Sequence, residues 1–189
     1  MNFLLIAVVL FSLIFEIVYA KCDSRGLQQL EQCYGSLMDT GAVPPSFLED
    51  PKTMQGFDRD FASYCKIHYD KFDCLGYYGN TCLNIPTFSK VFGFTERESL
   101  DILITDFKFE YFCSRPNIPK TECKIYDGTI EAECKNSTNF EDECQFFTDY
   151  ISCNKNSMSE QCNQKSYVDF VMNAVEFSLQ KIFPNCNAQ

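Results

Sequence analysis

The stretch FASYCKIHYDKFDC, residues 61–74, holds the only histidine of the chain, His68, three residues after Cys65 and six before Cys74. An imidazole serves as general base or metal ligand when a neighbour orients it and a substrate can reach it. A serine triad would need this same histidine, and no G-x-S-x-G elbow occurs in the 189 residues. A cysteine nucleophile would leave an odd cysteine among the twelve. Carboxylate pairs are plentiful, but most acidic residues read as solvated helix faces. No catalytic, cofactor-binding or metal-binding residue is therefore assigned, and His68 reads as an incidental member of a structural helix.

The twelve cysteines carry more information: Cys22, Cys33, Cys65, Cys74, Cys82, Cys113, Cys123, Cys134, Cys144, Cys153, Cys162 and Cys186. Zinc sites favour closely spaced pairs such as C-x2-C, whereas the nearest cysteines here have seven residues between them. An even number in an exported chain reads as six disulfides. Twelve cysteines allow about ten thousand complete pairings, so counting alone leaves the connectivity open. Geometry excludes one pair: on an unbroken helix Cys65 and Cys74 are about 13 Å apart in rise and about 180° apart in rotation. Disulfide Cα atoms lie within about 7 Å, so each must reach a different neighbour.

Export is indicated by MNFLLIAVVLFSLIFEIVYA, an apolar run ending with Val18 and Ala20 at the positions a signal peptidase reads. Residues 1–20 are expected to be removed, leaving 21–189 as one extracellular domain. No later stretch reaches membrane-spanning length, and stable membrane insertion is not expected. The remaining residues comprise 16 basic and 25 acidic side chains, a balance of −9, which disfavours nucleic acid and anionic lipid as partners. Asn136, in NST, is a glycosylation acceptor for a secreted chain.

The elements positioning these residues are helical. Leu27, Leu30, Tyr34, Leu37 and Met38 mark a first amphipathic helix ending before Gly41. The segment TGAVPPSFLEDPKTMQG reads as an irregular connection. Phe57, Phe61, Tyr64, Cys65, His68, Phe72 and Leu75 mark a second helix ending at Gly76. Thr95 and Glu98 form a capping-box pattern opening a third helix toward Cys113, with Leu100, Leu103, Ile104, Phe107 and Tyr111 as its buried stripe. The helical signal around Cys123 and Cys134 is weakened by Gly128. Thr138 and Glu141 suggest a second capping box, for a helix through Cys144 to about Cys153. Val168, Val171, Val175, Leu179 and Ile182 mark a last helix that stops before Pro184. The fold class expected is all-α and disulfide-rich.

An internal repeat is expected as well. Cys22 and Cys33 share C-x10-C with Cys123 and Cys134, and C-x8-C recurs at Cys65/Cys74 and Cys144/Cys153. Aligning FASYCKIHYDKFDC with FEDECQFFTDYISC also pairs Phe61 with Phe140, Asp70 with Asp149, and His68 with Phe147. Two six-cysteine halves result, 21–115 and 121–189. They differ most between their second and third cysteines, with 31 intervening residues in the first half and nine in the second.

Two resemblances bear on function. The Cys65–His68 spacing is similar to that of secreted phospholipases A2, in which a disulfide-clamped helix carries the catalytic histidine; this implies a small lipolytic enzyme using His68 as the alternative reading. In that family a calcium-binding aspartate directly follows the histidine, whereas here Tyr69 intervenes and Asp70 lies about 100° further round the helix. The family's next cysteine follows its histidine by three residues, whereas Cys74 follows His68 by six. Its glycine-rich calcium loop has only a faint counterpart in Tyr34 and Gly35.

The whole chain after the signal, with its twelve cysteines, early C-x10-C, the run around FASYCKIHYDKFDC and closing F-P-x-C, resembles the nematode-expanded secreted family termed domain of unknown function 19. That resemblance implies an extracellular domain with six internal disulfides and no established enzymatic residues. The expected function is a non-enzymatic binding protein for an extracellular protein partner or a small apolar ligand.

Overall fold

The computed structural model describes residues 22–39, 62, 65–115, 119, 123, 129–138 and 140–186, and every regular element among them is helical. The expected signal, the connection after Asp39, Gly128, and Phe57, Phe61 and Tyr64 of the second helix lie outside the described residues.

Helix α1 spans Ser24–Asp39, and the Asp23 carboxylate caps its start by accepting from the Gly26 N–H at 2.8 Å. Gly26 is required by close approach, since a Cβ there would lie 2.6 Å from Cys82 Sγ and 2.7 Å from Tyr78 Cδ1. Helix α2 covers residues 65–75. A 3-10 turn, Gly76–Tyr78, leads into the short α3, Gly79–Cys82. Helix α4, Ile85–Phe92, has Asn84 as N-cap, Pro86 in its first turn and Gly93 at φ 72° as its left-handed stop. The N-x-P and G signals for α4 stand in the sequence, as does the apolar stripe of Ile85, Phe88, Val91 and Phe92, which its eight residues carry for only about two turns.

Helix α5, Glu96–Cys113, begins with the expected capping box: Thr95 accepts from the Glu98 N–H, and Glu98 accepts from the Thr95 N–H. Helix α6 is Thr129–Ser137, α7 is Glu143–Gln161 and α8 is Lys165–Ile182. The proposed capping box at Thr138 is overturned. The Asp142 side chain caps α7, while the Thr138 hydroxyl donates back to the Cys134 and Lys135 carbonyls at the end of α6. A threonine hydroxyl can donate to helix-end carbonyls as well as accept from helix-start amides, and spacing alone does not separate the two. Helix α7 also continues two turns beyond Cys153, with Asn154 and Met158 extending its buried face.

The disulfides are Cys22–Cys82, Cys33–Cys74 and Cys65–Cys113, then Cys123–Cys162, Cys134–Cys153 and Cys144–Cys186. Numbered within each half, the order is 1–5, 2–4, 3–6 both times. Six cysteines allow on the order of fifteen pairings, so independent agreement would be a rare coincidence. As geometry required, Cys65 and Cys74 leave α2 toward different partners.

No disulfide joins the halves, and they nevertheless share one core. Its principal contact is α5 against α8, flanked by α4 and α1 in the first half and by α7 and α6 in the second. Tyr111 meets Phe170 and Phe177 edge-on or tilted at 5.7 and 5.6 Å, and Phe112 stacks on Phe170 at 5.5 Å. A tryptic digest of the denatured, unreduced protein should therefore give disulfide-linked peptides whose cysteines all precede or all follow Lys120. Mass spectrometry reads this directly, and one peptide pair bridging the two sides would refute the pairing.

Candidate functional site

The first half buries an unusual set of polar side chains. His68 and Lys71 lie one turn apart on α2 and are 5% and 7% exposed. The Lys71 ammonium pairs with Asp106 Oδ1 on α5, and the Tyr34 hydroxyl on α1 donates to Asp106 Oδ2. Three helices thus converge on one carboxylate. The ammonium also lies 4.7 Å from the Tyr34 ring centroid and 5.4 Å from that of Phe72. Tyr34 packs edge-on against Phe88 of α4 at 5.0 Å, so the charged group is enclosed by rings.

Electrostatics follow from that enclosure. Burial, reinforced by the Asp106 charge and hydrogen bond, pushes the Tyr34 phenol well above its ordinary range, so the hydroxyl stays a donor. Burial, then the neighbouring Lys71 charge, lowers His68 to about 4, partly opposed by Asp106. The imidazole is neutral at physiological pH. Its ring lies 4.5 Å from Phe72, and Nδ1 has no hydrogen-bond partner among the described residues.

This arrangement differs from a catalytic dyad, in which a carboxylate orients the imidazole. Asp106 has one oxygen on Lys71 and the other on Tyr34. Asp70 is exposed and pairs with Lys66 along the surface of α2. Among the described residues no group of three or more His, Cys, Asp or Glu side chains could hold a metal ion, and no helix is long and apolar enough to cross a membrane.

His68 was legible as part of a packed stripe; Tyr34 was legible as apolar periodicity, while Lys71 and Asp106 were not singled out. The available signal was register: Lys71 falls at i+3 from His68, and Asp106 falls at i+3 from Leu103, within stripes that are otherwise apolar. The repeat gives this meaning. His68 and Lys71 align with Phe147 and Tyr150, which are 0% and 2% exposed. The second half fills the same places with aromatic rings, Phe146 stacking on Tyr150 at 5.3 Å.

The glycosylation acceptor lies elsewhere. Asn136 is exposed in the last turn of α6, and its Oδ1 accepts from Arg97 of α5 at 3.2 Å. Arg97 also donates to the Lys135 carbonyl at 3.1 Å, while Lys135 pairs with Asp101, so this seam between the halves is polar. Comparison of the chain with protein-family models, curated proteins and solved structures finds no match.

Two outcomes test the cluster. The folded His68 pKa lies below its ordinary value, so its stability contribution is complete above about pH 6.5 and lost as pH falls toward 4. The lone imidazole should titrate near 4 by NMR, and His68→Phe should remove about 2 kcal/mol of the stability otherwise lost between pH 7 and pH 5 in urea melts. Lys71→Met leaves a half-buried carboxylate facing one hydroxyl donor, and denaturant unfolding at pH 7 should show a loss of about 2 kcal/mol.

Proposed function

We propose that the chain is a secreted, non-enzymatic binding protein of the nematode-expanded twelve-cysteine family, glycosylated at Asn136, that engages an extracellular protein or a small apolar ligand. The observation that carries this reading is the closure of all twelve cysteines into two identically ordered sets of three disulfides. Such a frame persists in an oxidising compartment, and it holds short helices rigid enough to present a recognition surface. The state of His68 also favours binding over catalysis: it is neutral, enclosed and without a carboxylate to orient it. Ile67, Tyr69 and Tyr77 supply exposed apolar area on α2 and the turn after it.

The competing reading, a lipolytic enzyme using His68, makes opposite demands. Protein secreted from eukaryotic cells should show by intact mass the loss of residues 1–20, a deficit of twelve hydrogens for six disulfides, and a glycan that Asn136→Gln removes. Native and delipidated samples report any retained ligand. Phospholipid vesicles with calcium should remain unhydrolysed by both the wild type and His68→Ala. Calcium-dependent hydrolysis that His68→Ala abolishes would replace the binding reading with the enzymatic one.

A further inference from the structure

We propose that the Tyr34–Asp106–Lys71 chain is a register key for oxidative folding of the first half, holding α1, α2 and α5 in the one alignment that brings Cys33 to Cys74 and Cys65 to Cys113. The placement of the three residues carries the argument. Tyr34 directly follows Cys33, Lys71 is one turn before Cys74, and Asp106 is two turns before Cys113. Cys33–Cys74 joins α1 to α2, and Cys65–Cys113 joins α2 to α5. The Tyr34–Asp106 hydrogen bond supplies the third side of that triangle, between α1 and α5, where no disulfide runs.

The repeat shows why one half needs a key. Cys33 and Cys74 are 41 residues apart, against 19 for their counterparts Cys134 and Cys153. By loop-closure scaling the longer contact is roughly threefold less probable in the open chain, which favours wrong partners. The second half closes a short loop and packs Phe147 and Tyr150 at the positions of His68 and Lys71. Apolar contacts tolerate sliding. A carboxylate with one donor on each oxygen does not, because a slipped register leaves a buried charge unpaired.

Each disulfide forms when two thiols give up two electrons and two protons to an oxidised disulfide reagent, which departs as two thiols; mispaired bonds rearrange by thiolate attack with no net redox change. The test is refolding of the reduced, denatured secreted chain with oxidised and reduced glutathione, followed by peptide mapping of every cysteine pair. In Tyr34→Phe/Lys71→Met/Asp106→Leu, correct pairing in the first half should fall at least about threefold, toward the one in about fifteen that random closure of its six cysteines among themselves gives. Cys123–Cys162, Cys134–Cys153 and Cys144–Cys186 should form at wild-type yield and serve as the internal control. His68→Phe, which leaves the three-residue chain intact, should pair normally. The correctly paired triple variant, isolated from the mixture, should melt no lower than the wild type, separating register from stability. Wild-type pairing in the triple variant, or equal scrambling of both halves, would overturn the proposal, as would a lower melting point in the isolated form.

Discussion

Everything in this fold depends on how its disulfides are partitioned. Each half closes its six cysteines in the same order, and no bond crosses between the halves. Covalent chemistry therefore shapes two small frames, and noncovalent packing joins them. The junction is the face of α5 against α8, the long closing helices of the two repeats, with Tyr111, Phe112, Phe170 and Phe177 interlocked at one end. Buried residues of both halves belong to one cluster, so apolar burial across the junction adds to what the disulfides supply within each half.

The halves share a disulfide order while their interiors diverge. In the second, aromatic residues occupy the faces of α7 that meet the core. In the first, the corresponding places hold a neutral imidazole and an ammonium paired to a carboxylate. A buried ion pair adds little net stability compared with apolar packing, because desolvation offsets most of the Coulomb attraction. Its presence in the half with the longer connection marks alignment as the property served. Helix α5 is the common reference: Asp106 receives the residue after Cys33, and Asp101 receives Lys135, the residue after Cys134. The position following the second cysteine of each repeat thus ties to a carboxylate on the same helix.

Much of the architecture could be read from spacing. The Thr95 cap, the stripe of α5, the stop of α8 before Pro184 and the divergence of Cys65 from Cys74 all follow from local geometry. The misread cap at Thr138 and the overlooked α4 have a shared cause. Hydroxyl and amide side chains satisfy either end of a helix, and an eight-residue helix shows little more than two turns of periodicity. The polar cluster was hidden differently: a lysine and an aspartate in apolar stripes look like surface residues until the helices meet.

The sequence by itself determined the helical class and pointed to paired six-cysteine halves and a packed setting for His68, because helical periodicity and cysteine spacing are local properties written along one chain. Tertiary structure alone decided which cysteines join, that the halves share one core, and that Tyr34, Lys71 and Asp106 meet. Those facts depend on distances between helices up to 72 residues apart in sequence, and they are settled by burial, charge pairing and chain closure acting together.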